Sequence, residues 1–399
     1  MSRPSNSHRH KNQQAFVEVK AVTWNKDSHG LFDYENSYYD MRKFQISTPT
    51  ILYRMNQEIH SLAKTAMEIE NEETSESLLS VTKGDGTGSD KFYIEVNKEN
   101  QGNARPNKQS FLIVRSLKCR DGRSQRGYVL NPGDIMKLGR VDFKIVEIST
   151  SKGCQRIDSH MDMMNQQGQI YDADEDRTYI NLKEKGEEVI CKYCLHEKVP
   201  ECDDALSNLL LYTCDCKTGV HFSCLKNWQQ SRIVQKGTPK VTTYQWKKYE
   251  CEICLLPWPK KVKFQGRIND LISLNRPATP YLIMEKVSID PGTPSTMNIV
   301  VPIGQDPIKI GRGHLCDLRV SDISVSRIHT HIKFENDQFY VYDNDSKFGT
   351  LILLNNNYQV RSEKAAVQIG RTVFTFVLKH APIDNHAHNA QQPQWGNNQ

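Results

Sequence analysis

Short apolar runs separated by polar turns cover much of the chain, and their rhythm differs from one region to the next. Between residues 278 and 380 the runs are YLIMEKV, MNIVVPI, IKIGR, THIKF, FYVYD, TLILL, AVQIG and TVFTFVL. Brief period-two alternation bounded by Gly, Asn and Asp predicts antiparallel strands, and so many in succession predict a β-sandwich. Residues 15–150 are less uniform. KFYIEV, SFLIVRSL and DIMKLGRVDFKIVEI read as strands, while GDGTGSD and NKENQGNARPNK read as loops. In QEIHSLAKTAMEI, Ile59, Leu62, Ala63, Ala66 and Met67 fall at helical spacing, which predicts one amphipathic helix and a mixed α/β region. LGRVDF at 138–143 parallels IGRTVF at 369–374. Two hairpins of related folds account for the match, and so does chance between short strands.

The remaining segments are polar. Residues 1–14 and 381–399 bury little and are expected to be disordered, with His380, His386 and His388 part of a solvated tail. Residues 151–185, including MNQQGQIYDADEDRT, and residues 263–277 read as linkers. PWPKKVKFQGR, with Lys247 and Lys248 nearby, reads as a solvated basic stretch.

Composition narrows the class. The chain has 399 residues, 37% of them hydrophobic and 25% charged, which describes a soluble multidomain protein. No apolar run approaches the length of a membrane span, and MSRPSNSHRHKNQQ lacks the apolar core of a secretory signal. A net charge of +5 does not argue for nucleic acid at this length. A cytoplasmic or nuclear, reducing setting is expected, so the eleven cysteines are not expected to form disulfides.

Seven of those cysteines and one histidine fall into four close pairs: Cys191 and Cys194, Cys214 and Cys216, His221 and Cys224, Cys251 and Cys254. Each short turn can offer two soft or borderline ligands, and four such ligands complete a tetrahedral site, so two structural zinc ions are expected. Cys119, Cys154, Cys202 and Cys316 stand outside the pattern, and His196 is a near neighbour rather than a ligand.

The ligand order resembles the RING-variant, or RING-CH, finger, and overlaps with the PHD finger. The single residue inside CDC, Trp228 four residues after Cys224, and the closing CEIC favour RING-CH. The short spacing from Cys216 to His221, and Tyr249 two residues before Cys251, favour PHD. Either resemblance implies a cross-braced finger over 186–262. Cys191, Cys194, His221 and Cys224 would hold one ion, and Cys214, Cys216, Cys251 and Cys254 the other. The RING-CH resemblance implies a ubiquitin ligase that docks an E2 enzyme through Tyr193 and Trp228. Leu255 stands where active ligases often present a basic residue. The alternative is a non-enzymatic scaffold or a peptide reader.

SDISVSRIHTHI, residues 321–332, sets Ser324, Ser326, Arg327 and His329 close together. A serine hydrolase would need a G-x-S-x-G turn, which is lacking here, and alternation in THIKF separates His331 from Phe334. With IKIGR before it and DSKFGT after it, the stretch resembles the forkhead-associated (FHA) domain over 278–380. That resemblance implies a β-sandwich binding a phosphothreonine protein. Arg312 would clamp the phosphate, Ser326 donate its hydroxyl, and Arg327 lie beside the peptide. Lys347 would reach the phosphate or an acidic neighbour, and His329 would be a buried brace. Gly349 and Thr350 would be turn residues. Phe348 occupies the position usually held by asparagine. LNPGDIMKLGRVDF similarly looks like the closing hairpin of a divergent FHA-like sandwich, one without a phosphate site.

Overall fold

The computed structural model describes residues 13–24, 31–35, 37–64, 76–84, 90–95, 109–117, 127–157, 170–186, 189–216, 218–246, 250–287 and 295–382. The expected disorder at the termini therefore lies largely outside the described residues, as do Cys119, Lys247, Lys248, Tyr249, His386 and His388. The described residues are mostly β-sheet, with two α-helices among them, and no helix is long and apolar enough to cross a membrane. The chain divides into two compact units, residues 1–126 with 347–399, and residues 127–346.

The first unit begins with β1 (Gln13–Trp24), β2 (Tyr39–Ile46), β3 (Thr50–Met55), β4 (Glu58–Ala63), β5 (Glu76–Lys83), β6 (Phe92–Glu95) and β7 (Ser110–Ile113). Within the second unit run β8 (Tyr128–Val129), β9 (Ile135–Leu138), β10 (Val141–Thr150), β11 (Gly153–Arg156) and β12 (Ile170–Asp172), followed by α1 (Thr178–Glu184). Then come β13 (Leu210–Leu211), β14 (Val220–His221), α2 (Phe222–Ser231), β15 (Val234–Gly237), β16 (Val241–Trp246), β17 (Lys261–Phe264) and β18 (Arg267–Asp270). β19 (Tyr281–Val287), β20 (Ser295–Val300), β21 (Ile308–Gly311), β22 (Leu318–Arg319), β23 (Thr330–Glu335) and β24 (Gln338–Asp343) complete it. The chain returns to the first unit for β25 (Thr350–Leu353), β26 (Tyr358–Val360), β27 (Ala365–Ile369) and β28 (Thr372–Pro382).

In the first unit one sheet runs β25-β7-β27-β28-β1-β2 and the other β26-β6-β5-β3-β4. Alternation drives it: Ala15, Val17, Val19 and Ala21 of β1 are all buried, as are Phe374 and Phe376 of β28. His380, expected in a solvated tail, instead pairs opposite Ala15 within β28. The amphipathic helix expected around Ile59, Leu62 and Ala63 is corrected: these residues form β4. Asn56 and Gln57 both take positive φ, 46° and 70°, making a two-residue turn that pairs Met55 with Glu58. That turn and the alternating partner strand override the helical spacing; Ala66 and Met67 lie outside the described residues. Among the described residues of 15–150 the one helical element is a 3-10 turn, Val114–Leu117, so the mixed expectation gives way to β structure.

In the second unit β20-β19-β10-β9 form one sheet and β22-β21-β23-β24-β8 the other. In strand order they match β2-β1-β28-β27 and β4-β3-β5-β6-β26 of the first unit, except that β22 runs parallel to β21 where β4 runs antiparallel to β3. LGRVDF and IGRTVF are thus the tips of equivalent hairpins, with Gly139 and Gly370 both at positive φ, 60° and 53°. Each sandwich is closed by a hairpin from the far side of the sequence. β10 pairs antiparallel with β19, from Asp142 opposite Val287 to Ser149 opposite Tyr281, while β28 pairs with β1. Residues 278–380 are therefore divided between the two units at 346/347.

The cysteine-rich segment is fused to the second sandwich rather than strung beside it. Its β15–β16 hairpin extends the sheet, with Val241–Trp246 paired to Ser295–Val300. Phe222 and Leu225 of α2, with Val189, Trp258, Val262 and Leu271, share one buried cluster with Val146, Ile283 and Ile299 of the sheet.

Candidate functional site

Two loci in the second unit concentrate chemistry. At the first, the ligand atoms of Cys191, Cys194, His221 and Cys224 gather within 4.8 Å of one another, and those of Cys214, Cys216, Cys251 and Cys254 do the same. The two C-x-x-C turns are built alike. The Leu195 amide donates to the Cys191 carbonyl at 2.8 Å, and that of Leu255 to the Cys251 carbonyl at 3.0 Å, each leucine at φ 60°. The amides of Tyr193 and His221 both point at the Cys191 Sγ at 3.4 Å.

The donor set fits zinc. A tetrahedron with Zn–S bonds of about 2.3 Å has S–S edges of about 3.8 Å. Cys251 Sγ lies 3.7 Å from both Cys214 and Cys216 Sγ. His221 Nδ1 lies 3.3 Å from Cys194 Sγ and 3.9 Å from Cys224 Sγ, while its Nε2 is 3.0 Å from the Glu197 carbonyl. That carbonyl is placed to accept an Nε2–H and leave Nδ1 as the ligand atom. His196 stays outside both tetrads.

Tyr193 and Trp228 are both half-buried and stack on each other, centroids 5.9 Å apart, and the Arg232 guanidinium lies 4.3 Å over the indole. Burial, and then the negative charge of Glu252, push the Tyr193 phenol well above its ordinary range. Leu195, Ile253 and Leu255, at the tips of the two turns, are exposed. The sequence offered no sign that these apolar tips would face solvent together with the metal knuckles.

At the second locus, the loop after β21 and the loop before β23 lie backbone to backbone. The Arg312 amide donates to the Ser326 carbonyl at 3.0 Å, and that of Gly313 to the Arg327 carbonyl at 2.9 Å. Gly311 makes this approach possible, because a Cβ there would fall 2.5 Å from the Arg327 carbonyl oxygen. The Arg312 and Arg327 side chains are exposed and Ser326 is half-exposed, so two guanidiniums and a hydroxyl emerge from one short stretch of paired backbone. His329 is fully buried, and its Nδ1 accepts the Ser326 amide at 3.0 Å. The Asn344 side chain donates to the Ile328 carbonyl at 3.2 Å. Cys316, an ordinary thiol by sequence, donates to the Arg327 carbonyl at 3.1 Å.

Lys347 belongs to the first unit, where its Nζ lies 3.3 Å from Asp33 Oδ2 and 5.5 Å from the Phe348 ring centroid. Gly349 takes φ 74°, and a Cβ there would meet the Tyr34 ring at 2.9 Å, a turn role that suits glycine. Missed from sequence were Gly139, Arg140, Asp322 and Ser324 acting together, because the first two lie 180 residues or so from the last two.

The family model of the FHA domain matches residues 308–373. No curated protein and no solved structure matches the chain.

Proposed function

We propose that this protein is a phosphothreonine-dependent adaptor whose anion site is the Arg312–Ser326 loop pair of the second unit. The observation that carries it is the backbone pairing of Arg312 and Gly313 with Ser326 and Arg327, beside Gly311. A phosphate dianion is best held by charge-assisted donors, and this pairing presents a guanidinium and a hydroxyl from adjoining backbone. Arg312 is the clamp, Ser326 a hydroxyl donor, and Arg327 a flanking cation. The FHA match over 308–373 supports the ligand class. Lys347, expected from the sequence to reach the phosphate, lies in the first unit and pairs there with Asp33.

The two tetrads hold structural zinc in this reading, each ion cross-linking turns with little core of their own. The RING-CH resemblance adds a second reading, in which the exposed Leu195, Ile253 and Leu255 with Tyr193 and Trp228 dock a ubiquitin-loaded E2 enzyme. Such a ligase acts by positioning rather than through a nucleophile. Capture of peptides from a phosphothreonine library by the full chain, lost in Arg312→Ala, tests the adaptor. Autoubiquitination with a panel of E2 enzymes tests the ligase, and silence with all of them leaves a scaffold.

A further inference from the structure

The loop that presents Ser326 is held from behind by a part of the chain that lies far away in sequence. Gly139 and Arg140 form the tip of the β9–β10 hairpin. The Arg140 amide donates to Ser324 Oγ at 2.9 Å, and the Arg140 guanidinium lies 3.3 Å from Asp322 Oδ1. Ser324 in turn donates to that carboxylate twice, from its hydroxyl at 2.6 Å and its amide at 2.8 Å. Next to it Val325 is fully buried, and its amide closes a turn onto the Asp322 carbonyl at 3.1 Å. Ser326 follows, already anchored on its other side by His329 and Arg312. The loop therefore has two fixed ends, and the hairpin tip supplies one of them.

The contact leaves no slack. A Cβ at Gly139 would fall 2.3 Å from Ser324 Oγ and 2.7 Å from the Ser324 carbonyl oxygen, and its φ of 60° already disfavours a side chain. The equivalent tip of the first unit makes a different contact. There Arg371 donates to the Gln57 side chain at 3.1 Å, against the tight β3–β4 turn rather than a long polar loop. Two like hairpins thus brace two unlike loops, and only the one at 139–140 touches a loop that carries an anion-binding set.

We propose that Gly139 and Arg140 are positioning residues of the phosphopeptide site, setting the loop 321–329 so that the Ser326 hydroxyl meets the phosphate held by Arg312. The inference rests on the phosphothreonine reading above. It makes the recognition module discontinuous: the β9–β10 hairpin together with β19–β24, with the whole cysteine-rich segment between them in sequence. Arg140 is half-exposed, with 50% of its side chain accessible, so a change of its charge alters the loop contact without opening the core.

The test uses the full chain and a fluorescent copy of the tightest peptide captured from the phosphothreonine library, with its unphosphorylated counterpart as control. Gly139→Ala is expected to weaken binding roughly tenfold, the scale of a side chain forced into a left-handed position and a displaced loop. Gly370→Ala carries the same backbone strain at the other hairpin, and is expected to lower thermal stability while leaving affinity within about twofold. Arg140→Glu, which sets a like charge against Asp322, is expected to weaken binding about fivefold with unchanged near-UV circular dichroism, and Arg140→Lys to restore most of it. Equal loss in Gly139→Ala and Gly370→Ala would reduce the hairpin to general stability and overturn the inference. So would wild-type affinity in both Gly139→Ala and Arg140→Glu. Failure of the wild type to capture any phosphothreonine peptide, or indifference to Arg312→Ala, would instead remove the reading beneath it.

Discussion

The amide of Ser326 donates to Nδ1 of His329 at 3.0 Å, and that imidazole has no exposed surface. The S-x-x-H spacing is thereby explained as a brace: the histidine accepts the Ser326 amide and closes the turn that carries the serine. His329→Ala removes the acceptor and opens a void. The expected cost is about 2–4 kcal/mol of stability, read by denaturant titration. Phosphopeptide affinity should fall even at temperatures where the variant remains folded. A variant with unchanged stability would show that the histidine does not hold the loop.

The two tetrads predict two zinc ions per chain, measurable by elemental analysis of the purified protein. Cys251→Ser and Cys191→Ser should each lower the content toward one. Because Phe222, Leu225 and Trp258 share a core with Val146, Ile283 and Ile299, strong chelation is expected to weaken phosphopeptide binding as well. Binding untouched by complete zinc removal would mean that the finger and the sandwich are energetically independent.

Glu147, 1% exposed, receives both Nε and a terminal nitrogen of Arg276, at 2.8 and 3.0 Å, and the Tyr281 hydroxyl at 2.6 Å. Burial alone would raise this carboxyl, but the bonds from Arg276 and Tyr281 outweigh it and hold it below the usual range. With the folded value depressed, its stabilisation is present above about pH 4.5 and is lost as pH falls through the folded value. Arg276→Ala removes the two closest cationic donors and leaves the buried carboxylate with Arg156, whose Nε lies 3.7 Å away, and should cost about 1.5–3 kcal/mol by urea unfolding at pH 7. A smaller loss at pH 7 than at pH 4 would contradict this sign.

Residues 278–380 contain both GR and S-x-x-H, yet β19 takes its partner β10 from residues 141–150. A fragment of 278–380 is therefore expected to fold poorly and capture no phosphothreonine peptide, whereas 127–346 should do both, as read by circular dichroism and pulldown. Full activity in 278–380 would show that β28 can replace β10 on β19.

What could be read in the sequence was local. The two Cys/His tetrads announce themselves because a tetrahedral site needs pairs at fixed short spacing, and the eight residues gather in two groups of four, each able to hold a metal ion. The strands of 278–380 were visible because alternation is a one-dimensional signal, as were Arg312 and Ser326 because their motif lies within one short stretch. The pairing of strands was not legible. Nothing in LGRVDF says whether it closes on β1 or on β19, since either partner offers an apolar face and an antiparallel edge. The false helix at Ile59–Ala63 arose where a tight Asn56-Gln57 turn, a tertiary choice, overrode a spacing of three and four. The contact of Arg140 with Asp322 and Ser324 was invisible for the same reason: the partners are distant in sequence and adjacent only in the fold.

The most direct test of the central claim is an anisotropy titration of the full chain with one library-captured phosphothreonine peptide, beside its unphosphorylated form and the Arg312→Ala and Ser326→Ala variants. The account predicts saturable binding that requires the phosphate, is abolished by Arg312→Ala, and is weakened about tenfold by Ser326→Ala, the loss of one charge-assisted hydrogen bond. Equal binding of the phosphorylated and unphosphorylated peptides, or undiminished binding by Arg312→Ala, would contradict it.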